Sequence, residues 1–317
     1  MDQTQLNNQL IEASKRGELD MVKKLIQEGT NVNHADNNNG YTPLIFASLS
    51  EHLEIVKYLA EHGANVNQAD NIGTTPLIWA SRAGHLEIVK YLVEHGANVN
   101  YATNYGYTPL IMASETIHFE VIKYLVEHGA NLNHSTNNGN TPLIFASQYG
   151  HLEIVKYLVE HGANVNQASM NGDTPLIWAN RYGWDDIVKY LVSRGADYTT
   201  IYDTIRNQPI FQDIIKDQTN KLKNELTERY GLVKHIPNLP KDAILKTIYE
   251  VPYQQYCNPP GNGLPPIQLI ALANILNNTM PKKRGLIEEG GKFEYIDLHL
   301  SWKELCDKVK AALYLLL

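Results

Sequence analysis

The sequence predicts an all-α solenoid of stacked helix–turn–helix units joined by hairpin-like turns, followed by a mainly helical C-terminal domain. Three observations carry this. The tetrapeptide Thr-Pro-Leu-Ile recurs with its threonine at 42, 75, 108, 141 and 174, a constant spacing of 33. Each copy is followed by two short stretches of helical apolar spacing, most often parted by glycine. Asn and Gly then crowd the segment leading to the next copy. A fixed period of this length marks supersecondary units that stack because none can bury its apolar face alone.

The stretch from Thr75 to Asn100 shows the logic of one unit. Threonine suits an N-cap, and Pro76 suits the first helical position, where a missing N–H costs nothing. Leu77, Ala80 and Ser81 give a narrow face that lets a neighbouring helix approach closely. Gly84 ends this helix, since glycine accepts a left-handed backbone. Leu86, Ile88, Val89, Leu92 and Val93 then form the stripe of a half-buried second helix, which Gly96 closes. The segment from Ala97 to Thr108 reads as a turn or short hairpin.

The pattern G-x-TPL-x-x-A-x-x-G-x-x-x-I-V-x-x-L-x-x-x-GA-N-V-N resembles the ankyrin repeat. One departure recurs: Ile45, Ile78, Ile111, Ile144 and Ile177 stand where that family usually has histidine after Thr-Pro-Leu. Apolar contact is expected to replace the family's side-chain hydrogen bond there without changing the fold.

Taken in order, residues 4–36 form a degenerate first repeat that keeps Ala13, Gly17, Leu19, Val22, Leu25 and Gly29 but loses Thr-Pro-Leu. Gln3, Gln5, Asn7 and Asn8 add the polar surface expected of a terminal cap. An extra asparagine among residues 37–39 lengthens the next turn. Repeats then occupy about 37–69, 70–102, 103–135, 136–168 and 169–201, with an eroded final repeat at 202–218. Glu51 and Ile117 stand where Gly84, Gly150 and Gly183 stand elsewhere. A β-branched residue tolerates positive φ poorly, so the turn at Ile117 is expected to differ from its glycine counterparts.

Residues 219–317 lack the period. Helices are expected at about 219–230, 240–250, 265–277 and 301–316, the last opening on a capping-box pattern of Ser301 and Glu304. Gly290-Gly291 suggests a β-hairpin.

Composition narrows the function classes. Residues 1–199 hold 12 Lys/Arg against 21 Asp/Glu, and residues 200–317 hold 15 against 13. An acidic solenoid argues against nucleic acid, whose binding needs clustered cations. Two cysteines, Cys257 and Cys306, make no disulfide framework and suit a reducing compartment. The first residues lack a signal-peptide core, and no apolar run is long enough to span a membrane. A cytosolic protein without cofactor or membrane association is the expectation.

Histidines recur twice per unit, at 52, 85, 118 and 151 and at 62, 95, 128 and 161. Stacked helices lie about 8–10 Å apart, too far for equivalent histidines to share an ion held at about 2 Å. Turn and helix-end roles are expected, with no metal. Phe46, Trp79, Met112, Phe145 and Trp178 form a ladder along the first helices. It reads as packing or, more sharply, as a partly exposed apolar strip.

The ankyrin resemblance implies a concave recognition surface built from turn tips and the exposed side of each first helix. The matching residues are Ile72, Thr74, Arg82 and Ala83, then Tyr105, Tyr107, Glu115 and Thr116. The next units supply Asn138, Asn140, Gln148 and Tyr149, then Asn171, Asp173, Arg181 and Tyr182. These vary over an almost constant framework, and Tyr and Arg are the types enriched at binding hot spots.

The C-terminal region offers weaker features. Cys257, His299 and Asp297 hold the residue types of a thiol hydrolase without a local signature. Leu239-Pro240-Lys241-Asp242 faintly resembles an F-box, which docks ubiquitin-ligase adaptors, and Lys282-Lys283-Arg284 reads as a solvated charge cluster. Protein–protein binding without catalysis is the expected function; the rival is an enzyme or ligase-recruiting domain in 219–317, targeted by the repeats. The uniform repeats, rich in Asn, Ile, Lys and Tyr, resemble those of ankyrin proteins from intracellular bacteria or protists, which implies an effector acting in a host cell.

Overall fold

The computed structural model describes residues 3–198, and beyond them Ile201, Pro209, Ile210 and Asp213. The chain divides into two compact units, Met1–Ala196 and Asp197–Leu317. Apart from Pro209, Ile210 and Asp213, the expectations for 202–317 lie outside the described residues. They include the eroded repeat, the four helices, the β-hairpin, Cys257, His299, Asp297, the F-box-like stretch and the cationic triplet.

The first unit is all-α, with twelve helices and no strand among the described residues. They come in pairs: α1 (Gln3–Arg16) with α2 (Leu19–Gln27), α3 (Pro43–Leu49) with α4 (Leu53–Glu61), and α5 (Pro76–Ala83) with α6 (Leu86–Glu94). Then come α7 (Pro109–Thr116) with α8 (Phe119–Glu127), α9 (Pro142–Gln148) with α10 (Leu152–Glu160), and α11 (Pro175–Arg181) with α12 (Asp185–Ser193). Each first helix packs on its own second helix and on the first helix of the next pair. The core runs through the stack as a repeated set, with Leu77, Ile78, Ala80, Val89 and Leu92 all at 0% exposure.

The Thr-Pro-Leu-Ile box works as its residues predict. Thr75 is extended, and its Oγ1 accepts the Ile78 N–H at 3.3 Å while Pro76 opens the helix. Thr42, Thr108, Thr141 and Thr174 cap α3, α7, α9 and α11 the same way. Ile45, Ile78, Ile111 and Ile144 are fully buried, which bears out apolar contact at the family's histidine position in four units, while Ile177 in the last is half-buried.

Two asparagine ladders tie successive units together. At the far end of each second helix, Asn33 Nδ2 donates to the Gly63 carbonyl at 3.0 Å, and Asn33 Oδ1 accepts the Asn65 N–H at 2.8 Å. Asn67, Asn100 and Asn133 repeat both bonds one unit on. In the first unit, Gln3 Nε2 reaches the Gly29 carbonyl at 3.2 Å and Asn7 Oδ1 accepts the Asn31 N–H at 3.0 Å. Two side chains of α1 thus do the work of one asparagine. The second ladder links hairpin tips: Asn71, Asn104 and Asn137 each donate Nδ2 to a carbonyl of the preceding tip. It stops at Met170, which stands in the next asparagine's place.

The expectation that the Ile117 turn differs in backbone is wrong. Ile117 sits at φ 71, ψ 37 and Gly84 at φ 80, ψ 16, both left-handed, and both donate back to an alanine carbonyl of the helix they end. Flanking helices packed on both sides fix the turn, so the side chain bears the strain. The departure appears instead in the next unit. His52, His85 and His118 place Nε2 within 3.0–3.2 Å of the carbonyls of Lys15, Leu49 and Arg82, whereas the His151 ring has no hydrogen-bond partner among the described residues. A left-handed non-glycine residue costs about 1–2 kcal/mol. Ile117→Gly should therefore stabilise the chain by about 1 kcal/mol after the extra unfolded-state freedom of glycine is subtracted, seen as a higher urea midpoint at unchanged slope.

Candidate functional site

The hairpin tips and the exposed edge of the first helices lie side by side. Tyr41 meets Trp79 of the next unit edge-on at 5.7 Å, and Tyr107 lies 6.3 Å from Phe145. Most of the expected surface residues belong to this side. Ile72, Arg82, Tyr105, Asn138, Tyr149, Arg181 and Tyr182 are exposed, while Tyr107, Glu115, Asn140, Gln148 and Asp173 are half-buried. Ala83 and Thr116 are half-buried and Asn171 is exposed.

Thr74 is the exception, at 2% exposure. Its N–H donates to Asp70 Oδ1 at 2.7 Å and its carbonyl accepts the Asp70 N–H, so the short side chain is covered where Tyr107 or Asn140 would protrude. Thr74 closes a turn and offers a partner no surface.

The first-helix ladder is partly open. Phe46, Trp79, Met112 and Trp178 are half-buried, and Phe145 is buried. Arginines three residues on lie over the two indoles, Arg82 at 5.4 Å from the Trp79 ring and Arg181 at 4.5 Å from the Trp178 ring. Arg181 also grips Asp173 through two contacts of 2.7 and 3.3 Å, and Tyr182 stacks on Trp178 at 5.8 Å. Burial pushes the Tyr107 and Tyr149 phenols above their ordinary pKa, with the Glu115 charge adding to it in both. Both rings therefore stay neutral donors near neutral pH. The arrangement can stack, hydrogen-bond and pair charges with another macromolecule.

Two features escaped sequence reasoning. Met170 is 79% exposed at the tip where three preceding units carry asparagine; its place in the period was the available signal. Trp184 occupies the position of the first histidine set, and its Nε1 donates to the Gln148 carbonyl at 3.1 Å as His118 does to Arg82.

The histidines have structural work. Of the first set, His52, His85 and His118 bridge successive units, as above, and His151 does not. Those of the second stack on a tyrosine four residues earlier, His62 on Tyr58 at 3.9 Å, with Nδ1 at 2.8 Å from the same tyrosine's carbonyl. Among the described residues no group of three or more His, Cys, Asp or Glu is placed to hold a metal ion. Burial lowers the His151 pKa. The unfolded chain then takes up that proton first, so stability should fall as pH drops below about 6.5 and level off once the folded-state pKa is passed. The pH dependence of the thermal midpoint, wild type minus His151→Gln, measures it.

A family model described as ankyrin repeats in three copies matches residues 3–70, 68–136, 95–169 and 130–202. The chain belongs to the ankyrin repeat family. The matches run without a break over both asparagine ladders and every hairpin tip of the first unit. Comparison with curated proteins gives no match. Ankyrin repeats are generally protein–protein interaction modules. No helix among the described residues is long and apolar enough to cross a membrane.

Proposed function

We propose that this ankyrin chain binds a partner protein across its hairpin tips and the adjoining faces of its first helices, without chemistry in the repeats themselves. One observation carries the reading. At equivalent places on four successive first helices stand Arg82, Glu115, Gln148 and Arg181, while the residues beneath them, Leu77 and Ala80 and their counterparts, are identical and buried. Packing does not dictate that variation, so the outer row is free to specify a target. Exposed Tyr105, Tyr149 and Tyr182 supply large, stiff contact area of the kind that dominates interfaces. The two cysteines of the whole chain suit a reducing, cytosolic setting.

The test is a cross-linking pull-down with the full chain beside a Tyr149→Ala, Tyr182→Ala double variant. Loss of the captured protein with the variant is the expected result; undiminished capture places binding elsewhere.

A further inference from the structure

Glu115 stands on α7, midway along this surface, between Arg82 of α5 and Tyr149 at the end of α9. Its side chain is half-buried and has no hydrogen bond or ion pair among the described residues. The other carboxylates here are engaged. Asp173 is held by Arg181, and Asp70 accepts the N–H groups of Ile72 and Thr74 on one oxygen and the Trp79 indole on the other. Around Glu115 the surroundings are aromatic: Tyr107 directly precedes the Thr108 cap of α7, Tyr149 ends α9, which packs on α7, and Tyr182 ends α11, which packs on α9. The Glu115 charge bears on the phenols of Tyr107 and Tyr149.

An unpaired, partly desolvated carboxylate is costly, and a cation delivered to it recovers that cost. Burial pushes the Glu115 carboxyl above the usual carboxylate range, against the pull of Arg82, which fits a site short of positive charge. Tyrosine faces attract cations, and a planar guanidinium can stack on a ring while forking onto a carboxylate, which an ammonium cannot. The 12 Lys/Arg against 21 Asp/Glu of residues 1–199 also steer a basic segment toward the repeats.

We propose that Glu115, flanked by Tyr107 and Tyr149, receives an arginine side chain presented by the partner protein. This rests on the hairpin-side surface being the binding face and names what it takes there. Arg82, stacked over Trp79, bounds the slot on the α5 side with a like charge and leaves the tyrosine side as the way in.

The experiment selects random displayed peptides on the full-length chain. Selected peptides should share an arginine at one position, and their affinity should fall at least about tenfold with Glu115→Gln, or when that arginine is replaced by citrulline. Glu115→Gln should melt no lower than wild type near neutral pH, because it removes a carboxylate whose ionisation burial opposes; the loss is then not one of folding. Peptides that fail on Tyr149→Ala, Tyr182→Ala but bind Glu115→Gln as well as wild type, with no arginine preference, overturn the arginine slot and leave the surface standing. Peptides indifferent to all three substitutions, or no selected peptide at all, overturn both.

Discussion

Gly84→Ala should lower the stability of the chain by about 2–3 kcal/mol. Two costs add. At φ 80 an L-residue is strained, and a methyl built there runs into the imidazole of His118. That ring carries the 3.0 Å bond from Nε2 to the Arg82 carbonyl, so moving it weakens the join between units as well as the turn. Gly150→Ala should behave alike, its methyl meeting the Trp184 indole at 2.6 Å. Urea unfolding of the full chain measures the loss; a midpoint unchanged from wild type would show that the ring moves aside freely. Ile117→Gly tests the same turn from the opposite direction.

The double variant Tyr149→Ala, Tyr182→Ala should weaken partner binding by about a hundredfold or more. Both rings are exposed, at 41% and 53%, so the fold loses little when they go. Tyr182 gives up its stack on Trp178, but α11 keeps its Thr174 cap and its buried Leu176 and Ala179. Affinity for a captured partner or a selected peptide can be read by fluorescence anisotropy, with the thermal midpoint as control. Equal affinity at an equal midpoint would remove this surface from the binding reading.

Most of the first unit was legible because each repeat states its own structure several times over. Five Thr-Pro-Leu-Ile boxes predict five capped helices, and five appear. Ile117 shows the limit of local reasoning. Propensity argues against a β-branched residue at positive φ, yet helices packed on either side hold the backbone where glycine would go. Thr74 shows another limit, since its position matches that of Tyr107 but only side-chain length decides which of the two protrudes. Met170 and Trp184 were readable as departures from the period; what they do depends on contacts to the preceding unit, which the period does not display. The open carboxylate of Glu115 likewise depends on what its neighbours lack, and no spacing reports that.

The cap on α1 bears on how such a chain can change its length. Because Gln3 and Asn7 satisfy the Gly29 carbonyl and the Asn31 N–H from within the first unit, and Asn33 then serves the first full repeat as its counterparts serve theirs, that repeat meets the cap as it would meet a sister repeat. Excising or duplicating a whole 33-residue period therefore rejoins matching halves and orphans no polar group along that edge. The span offered to a partner can shorten or grow in steps of about 10 Å, and the stack becomes a ruler whose divisions can be added or removed while its zero mark stays fixed.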